Sequence, residues 1–248
     1  MIIGILKILI SQKTPSKMIA YETLQGKYKA QLFFRPFFCI EPVSSKEFRA
    51  QRINLPDYTA VVFSSRHAID AYFAFADELR FKVPETMKYF CTTELVANYL
   101  QKHIVYRKRK IFFGDGTPQS IIGLIGTKHK GEKFLIAKSE GSHDALSSLF
   151  QGAGLDFTAA VMVKSVTQDL HDLNLADYDI VVLYNPADVK SLYENFPDFK
   201  QGKVKFVSFG RSVVGAMQEA GLEIAIQAPT PEAPSAARAI EIYLDSLK

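Results

Sequence analysis

The sequence predicts an α/β protein that contains two similar parallel sheets. Three kinds of segment, each reading as a strand, a turn and a helix, occur in the order A, B, C and then occur again in that order. Segment A begins at Lys7 and Lys133, segment B at Asp57 and Asp177, and segment C at Lys88 and Lys205. The strands also lack polar alternation, which is typical of strands buried on both faces of a parallel sheet. Such repetition predicts two similar domains, and two facing domains would enclose a cleft.

Short apolar runs predict the strands of these segments, and helical spacing follows each run after a polar turn. The runs are rich in Val, Ile and Phe and comprise Ile8–Ile10, Ala60–Phe63, Ile180–Leu183 and Phe206–Phe209. Two helices carry one apolar stripe each, formed by Ala68, Ile69, Tyr72 and Phe73 and by Val213, Val214, Met217 and Ala220, with Gly221 ending the second helix. Strands that alternate with helices imply parallel sheets with helices on both faces.

Two Thr-Pro pairs predict further helix starts. Thr117 with Pro118 and Thr230 with Pro231 follow segment C in the two halves. Threonine caps the open amides of a first turn, and proline fits the first helical position because its missing N–H costs nothing there. Residues 33–43 and 161–167 look extended and lie between A and B segments, so we expect the chain to cross between the domains there.

The composition is that of an ordinary globular protein with a mild excess of positive charge. Of the 248 residues, 48% are hydrophobic and 23% are charged, and the net charge is +4. This charge suits an anionic ligand without requiring nucleic acid. The basic run Arg107–Lys110 favours a solvated strand edge over a nucleic-acid patch, because only Tyr106 adds an aromatic neighbour. Cys39 and Cys91 lie far apart in apolar runs, which predicts buried thiols in a reducing compartment.

The apolar start of the chain predicts a first strand. Lys7 interrupts it and no small-residue cleavage site follows, so a signal peptide fits poorly. The second copy of the segment, at Lys133, lies in mid-chain. No apolar stretch is long enough to span a membrane. These features predict a cytoplasmic protein without a membrane partner.

Most familiar catalytic motifs are absent from the sequence. It contains no Walker-type loop, no G-x-G-x-x-G and no G-x-S-x-G, and Gly114–Gly116 predicts a turn. No pair of histidines has metal-ligand spacing among His67, His103, His129, His143 and His171. We therefore expect no metal.

Polar residues that follow the predicted strands form the candidate site. In open α/β sheets, ligands bind at the carboxyl ends of the strands, beside helix N-termini whose amides favour anions. Turn and cap chemistry explains any single serine or threonine, but Arg66, Lys138 and Arg211 add positive charge at equivalent rims of both sheets. The candidates are Ser11–Lys13, Ser64, Ser65, Arg66, Thr92, Thr93, Lys138, Ser139, Asn185, Pro186, Gly210, Arg211 and Ser212.

Three stretches of the sequence resemble a known family. Lys205–Ala233 reads as a strand, a glycine turn, a helix closed by glycine and a Pro-Thr-Pro segment. Val61–Ala68 is similar to an early Phe-Thr-Ser-x-x-Ala-Val signature, and Phe134–Leu155 to the strand and helix before the second crossing. In order and spacing, over nearly the whole chain, these stretches resemble the uroporphyrinogen-III synthase family.

The resemblance implies two flavodoxin-like domains, each a doubly wound parallel sheet, joined by two extended linker segments with a cleft between them. Domain one would comprise residues 1–40 and 173–248, and domain two residues 44–165, with crossings near 36–43 and 163–172. The implied enzyme is a monomeric lyase of heme biosynthesis that needs no cofactor. Its substrate would be hydroxymethylbilane, a linear tetrapyrrole polycarboxylate. Hydroxide leaves, the far pyrrole attacks through its substituted carbon, and a spiro intermediate reopens and recloses, so that ring D of uroporphyrinogen III is inverted.

The sequence departs from the family pattern at several positions that bear on the chemistry. Val163 aligns with a tyrosine often proposed to assist hydroxide loss, Thr92 with a glycine, and Leu95 lies near a family threonine. A Phe-Ser-Pro-Ser turn becomes Tyr184–Ala187, and paired threonines become Ser212 and Val213.

Tyr184 is therefore the candidate acid or hydrogen-bond donor, although packing explains a tyrosine at such a rim equally well. The departures leave an alternative open, namely a non-catalytic two-domain binder of an anionic small molecule or tetrapyrrole. A nucleic-acid-binding regulator rests only on the basic run Arg107–Lys110.

Overall fold

The computed structural model describes residues 5–141 and 145–247, so the first four residues of the predicted first strand lie outside the described residues. The strands, in chain order, are β1 Lys7–Ile10, β2 Gln31–Phe34, β3 Phe38–Pro42, β4 Ala60–Phe63, β5 Lys88–Cys91, β6 Ile111–Phe113, β7 Lys133–Ser139, β8 Asp156–Thr167, β9 Ile180–Leu183, β10 Lys205–Phe209 and β11 Ile224–Ala228. The α-helices are α1 Glu22–Lys27, α2 Ser45–Ala50, α3 Arg66–Glu78, α4 Glu94–Tyr99, α5 Pro118–Ile125, α6 Ala145–Gly152, α7 Pro186–Asn195, α8 Arg211–Glu219 and α9 Ala236–Ser246.

The chain divides into two compact units. Unit one comprises Met1–Cys39 and Val166–Lys248, and unit two comprises Ile40–Ser165. The chain therefore passes between the units twice, once within β3 and once within β8. Residues 33–43 contribute to β2 and β3, and residues 161–167 belong to β8, so both segments that look extended in the sequence lie largely in strands.

Unit one is built on a five-stranded sheet with the order β11-β10-β9-β1-β2, and all its pairings are parallel. Counted along this unit's own strands, the order is that of a flavodoxin-like doubly wound sheet. All residues of β9 are buried. In β1, Leu9 packs into the core on one face, whereas Ile8 and Ile10 pack into the core on the other. The unalternating apolar runs thus result from burial on both faces, and the predicted parallel sheet is confirmed.

Unit two contains a six-stranded sheet with the order β3-β8-β7-β4-β5-β6. The registers of β8-β7, β7-β4, β4-β5 and β5-β6 are all parallel. Leaving out β3, this is the unit-one order if β7 and β8 are counted as the first two strands. The repeat therefore has a simple structural basis, because each unit combines the A segment of one half of the sequence with the B and C segments of the other.

The predicted helix starts differ in outcome. Thr117 caps α5, and its side chain accepts a hydrogen bond from the Ser120 amide, as predicted. The prediction at Thr230 is wrong, because Thr230 and Ala233 bond to each other across a turn and the helix begins only at α9. The physical reason is Pro234, which lacks an amide hydrogen for a helix begun at Pro231 and disfavours helical backbone at the preceding residue.

Helix α7 anchors the chain on the unit-one side of both crossings. Its buried Ser191 donates a hydrogen bond to the carbonyl of Phe37. The Oδ1 of Asn195 accepts from the amide of Leu170 at 2.8 Å, and its Nδ2 donates to the carbonyl of Gln168 at 2.9 Å. The amide of Gln168 in turn donates to the Phe37 carbonyl at 2.9 Å. The two segments that leave unit one are therefore bonded to each other and to one helix.

The two cysteines differ in burial. Cys91 is fully buried in β5, as the apolar run predicts. The prediction of a buried thiol is wrong for Cys39, which is half-buried. Cys39 lies in the edge strand β3, where neighbours cover fewer sides, and the Nε2 of Gln168 lies 3.1 Å from its sulfur.

Candidate functional site

The carboxyl ends of parallel strands lie at one edge of each sheet, and there the candidate residues of unit one gather. Ser11 follows β1, Tyr184 and Asn185 follow β9, and Gly210 follows β10. Because β9 lies between β1 and β10, these turns are neighbours. Gln12 and Lys13 continue the first turn and are exposed.

Polar side chains fix the first turn of α7. Asn185 is the N-cap, and its Oδ1 accepts a hydrogen bond from the Ala187 amide at 3.0 Å. Asp188 is fully buried, and its Oδ2 accepts from the amides of Tyr184 at 2.8 Å and Asn185 at 3.0 Å. The same oxygen accepts from the Oγ of Ser11 at 2.8 Å. The Oδ1 of Asp188 is buried and has no hydrogen-bond partner among the described residues.

Burial raises the pKa of Asp188 to about 6, although its three hydrogen bonds favour the ionised form. The cause is desolvation, because a carboxylate loses more hydration than a carboxylic acid when it leaves water. This carboxyl group therefore ionises at a higher pH than an ordinary surface aspartate does.

Tyr184 is half-buried at the same edge. Its ring lies 5.3 Å from that of Phe209. Burial, together with Tyr21 and the charge of Asp188, raises the pKa of the Tyr184 phenol well above its ordinary value. A phenol in this environment stays neutral and is a better hydrogen-bond donor than proton donor.

The turn before α8 depends on glycine. Gly210 has φ 122° and ψ 151°, a backbone conformation that essentially only glycine adopts. With glycine as its N-cap, α8 begins without a side-chain cap, and Arg211 and Ser212 are exposed in its first turn. The open amides and the guanidinium group together favour an anion at this position.

In unit two, Ser64 and Ser65 follow β4, and Ser65 caps α3 by accepting a hydrogen bond from the Ala68 amide at 3.1 Å. Ser64 and Arg66 are exposed. The guanidinium carbon of Arg66 lies 5.7 Å from the centroid of the Tyr99 ring, within the range of a cation–π contact.

The Tyr99 ring below Arg66 is held by Asp70. The Oδ2 of Asp70 accepts the Tyr99 hydroxyl at 2.7 Å, and its Oδ1 contacts Lys102 at 2.8 Å and His103 at 2.7 Å. Burial opposes ionisation of Asp70, but these hydrogen bonds outweigh it and lower its pKa to about 2. The platform under Arg66 is therefore a charged network that persists at acidic pH.

The remaining candidates of unit two lie at the ends of β5 and β7. Thr93 caps α4 by accepting from the Val96 amide at 3.3 Å, and Thr92 precedes it, half-buried. Lys138 and Ser139 are the last residues of β7 and are half-buried. Since β7 pairs with β4 in parallel, these residues reach the same edge as the turn after β4. The structure thus places all the predicted site residues at strand carboxyl ends, in one set for each unit.

The family model of uroporphyrinogen-III synthase HemD matches residues 20–238. The chain belongs to the uroporphyrinogen-III synthase family. The members are lyase-class enzymes of heme biosynthesis.

Solved structures share the fold. A uroporphyrinogen-III synthetase from Helicobacter pylori 26695 superposes with a TM-score of 0.61 and 16% identity, covering 98% of this chain and 100% of that one. A mutant uroporphyrinogen III synthase from the extremely thermophilic bacterium Thermus thermophilus gives a TM-score of 0.56 and 16% identity, covering 97% and 99%. The comparison with curated proteins finds no match.

The positions at which this member of the uroporphyrinogen-III synthase family departs from the pattern lie in different surroundings. Val163 is fully buried in β8, opposite Ser139 of β7, and carries no ionisable group. Leu95, near the family threonine, is 80% exposed in α4. Neither position can supply an acid.

Sequence reasoning missed Asp188. The spacing Asn185-x-x-Asp188 is that of a capping box, which could have drawn attention to it, but not to its burial. Among the described residues, no three His, Cys, Asp or Glu side chains are grouped so that they could hold a metal, and His143 lies outside the described residues. No described helix has the length and apolar character needed to cross a membrane.

Proposed function

We propose that this protein closes hydroxymethylbilane to uroporphyrinogen III, with inversion of ring D, in a cleft between its two units. The match of the family model over residues 20–238 carries this proposal. The structure supports it because each unit presents polar and cationic groups at the edge of its sheet where α/β proteins bind ligands.

The substrate carries acetate and propionate groups, and three cations of the candidate site suit them. Arg66 and Lys138 belong to unit two, and Arg211 belongs to unit one. Hydrogen bonds to carboxylates are short and strong when the donor is charged. The remaining groups proposed to bind substrate are Ser64, Ser65, Thr92, Thr93, Ser139, Asn185, Gly210 and Ser212.

Three of these residues already serve as helix caps, which restricts what they can offer. Ser65, Thr93 and Asn185 use their side-chain oxygens to accept backbone amides. The hydroxyl hydrogens and the amide Nδ2 remain as donors. The carboxylate groups of the substrate accept hydrogen bonds only, so capped side chains of this kind still match them.

Tyr184 is proposed to donate a hydrogen bond to the leaving hydroxyl rather than to transfer a full proton. The raised pKa of its phenol favours the neutral donor. Loss of hydroxide from a hydroxymethyl pyrrole is already driven by the pyrrole nitrogen, so modest assistance suffices. The main task of the enzyme is then to hold the bilane where its substituted carbon reacts before the free one.

The product isomer tests the proposal. Uncatalysed closure gives the uninverted isomer I, so freshly generated hydroxymethylbilane should yield isomer III with the protein and isomer I with heat-inactivated protein. Chromatography of the oxidised porphyrins separates the two. Isomer I alone at high protein concentration would leave the non-catalytic binder as the better description.

A matched pair of arginines tests the location of the site. Arg211→Ala should raise KM about 10- to 150-fold, since a charge-assisted hydrogen bond contributes about 1.5–3 kcal/mol. Arg109→Ala, in the exposed turn before β6, removes the same charge and should leave KM unchanged. If the two substitutions raised KM equally, the positive charge would act only as a long-range field, and Arg211 would not mark the binding site.

A further inference from the structure

Unit one contains a buried polar pair where unit two, its structural repeat, has only alanines. Asp188 lies eleven residues after Asp177, and Ala68 lies eleven after Asp57. Ser11 and Ala137 are the fifth residues of the two A segments, which begin at Lys7 and Lys133. The sheet registers agree with this equivalence, because Ile10 opposes Val182 in unit one as Ile136 opposes Val62 in unit two. Ala68 and Ala137 are 1% and 2% exposed.

The alanine pair shows that the fold itself does not need a carboxyl group at this position. Burial of an aspartate costs free energy unless its oxygens are well bonded, and one oxygen of Asp188 has no partner among the described residues. The burial of Asp188 costs free energy, and unit two has alanine at the equivalent position. We therefore expect Asp188 to have a role other than packing.

The contacts of Asp188 indicate that role. One oxygen accepts hydrogen bonds from the amides of Tyr184 and Asn185, which follow β9, and from the hydroxyl of Ser11, which follows the neighbouring strand β1. The carboxylate thereby links the turn that contains Tyr184 to Ser11 at the end of β1. Since Asp188 is fully buried, it acts on substrate only through these groups.

We propose that Asp188, oriented by Ser11, is a positioning residue for ring closure, because its carboxylate holds the Tyr184–Asn185 turn in the geometry that the reaction needs. This inference rests on the proposed synthase function. Protonation would weaken the acceptor that holds both amides, so the pair also makes the turn sensitive to pH.

The surroundings of Asp188 connect its titration to few other groups. Among the described residues, its hydrogen-bond partners are the amides of Tyr184 and Asn185 and the hydroxyl of Ser11. Its charge helps to raise the pKa of the Tyr184 phenol, which stays neutral. The Ser11 hydrogen bond lowers the pKa of Asp188, against the larger effect of burial. Removal of the Ser11 hydroxyl should therefore move the titration to higher pH.

The experiment measures kcat and KM for isomer III formation between pH 5 and pH 8. In the unmodified protein, kcat should fall as the pH drops through about 6. Asp188→Asn should lower kcat about 10- to 100-fold, the effect of a small misplacement, with little change in KM, and should abolish the inflection. Ser11→Ala should keep the inflection and shift it to higher pH.

Glu47→Gln is the matched control. Glu47 accepts from the amide and hydroxyl of Ser44 in the capping box of α2, and hydrogen bonds from Lys164 and Ser44 lower its pKa to about 2. This exposed carboxylate caps a helix in unit two and is not one of the candidate site residues, so its loss should leave the pH profile unchanged.

The outcomes separate the inference from the proposed function. If the unmodified protein makes no isomer III, the proposed function fails. If it does, but Asp188→Asn and Ser11→Ala both retain its kcat and its inflection, the positioning role is refuted. Should Asp188→Asn fail to fold, the direction of the Ser11→Ala shift decides alone, and an unshifted inflection overturns the inference.

Discussion

The raised pKa of Asp188 predicts an unusual dependence of stability on pH. The ordinary pKa of 3.8 applies to the unfolded chain, and burial raises it to about 6 in the folded protein. The folded protein therefore binds this proton more tightly than the unfolded chain does. The resulting stabilisation is fully present below pH 3.8 and is lost as the pH rises through about 6. Asp188→Asn removes this titration.

The magnitude follows from the two pKa values. Each unit of pKa difference corresponds to about 1.36 kcal/mol, so the complete effect is about 3 kcal/mol. Between pH 7.5 and pH 5, the free energy of unfolding of the unmodified protein should therefore rise by about 1.4 kcal/mol more than that of the Asn variant. The pKa values of Glu47 and Asp70 are lowered to about 2, so their contribution to the stability of the protein decreases on acidification. They occur in both proteins, so their contributions cancel in the difference.

Equilibrium unfolding in urea at pH 7.5, 6.5, 5.5 and 5.0 measures this difference. The dependence on urea concentration should be the same for both proteins, so that a change of midpoint reports stability alone. A difference that stays constant over this range, or that changes with the opposite sign, would refute the view that burial determines the titration of Asp188.

Three further substitutions test the hydrogen bonds of Asn195, the glycine turn before α8 and the hydroxyl group of Tyr184. Asn195→Ala should lower the free energy of unfolding by about 3 kcal/mol, because the Leu170 amide and the Gln168 carbonyl, which follow β8, lose their partner. Asn98→Ala, at an exposed position of α4, should change it by less than about 0.5 kcal/mol, and equal urea midpoints would contradict this. Gly210→Ala should lower the free energy of unfolding by about 1–3 kcal/mol, because Gly210 has a positive φ. Gly215→Ala in α8 should raise it by about 0.5–1 kcal/mol, because the space around Gly215 is open. Tyr184→Phe should reduce kcat for isomer III roughly tenfold without changing the thermal midpoint, and complete loss of isomer III would instead identify a dedicated catalytic residue.

Local patterns were sufficient to predict the strands and the parallel sheets. The apolar runs Ala60–Phe63 and Ile180–Leu183 coincide with β4 and β9, because a strand buried on both faces needs an unbroken run of apolar residues. The stripe of Ala68, Ile69 and Tyr72 is buried along α3 for the same kind of reason. The edges at which the candidate residues lie also followed from the sequence, since parallel strands end on one side.

Features that depend on distant parts of the chain were not predictable in this way. The spacing Asn185-x-x-Asp188 marks a helix cap, but the burial of its carboxyl group depends on Ser11, 177 residues away in the sequence. At Thr230, the local signal for a helix was real, and a second proline three residues after Pro231 overrode it. Cys39 looked buried because its neighbours in sequence are apolar, but its exposure depends on the position of β3 at the sheet edge.

The division of the chain also determines the order in which the two units can form during synthesis. Unit two is one continuous segment, Ile40–Ser165, so all its strands are available before the last third of the chain is made. Unit one needs both ends of the chain, because β1 pairs with β9. An unfolded connection of this length makes closure slow and entropically costly, whereas a compact unit two shortens the effective distance between its two ends. A folded unit two would hold β3 and β8 side by side and so bring together the two segments that lead into unit one. Substitutions in its core should therefore delay the folding of both units.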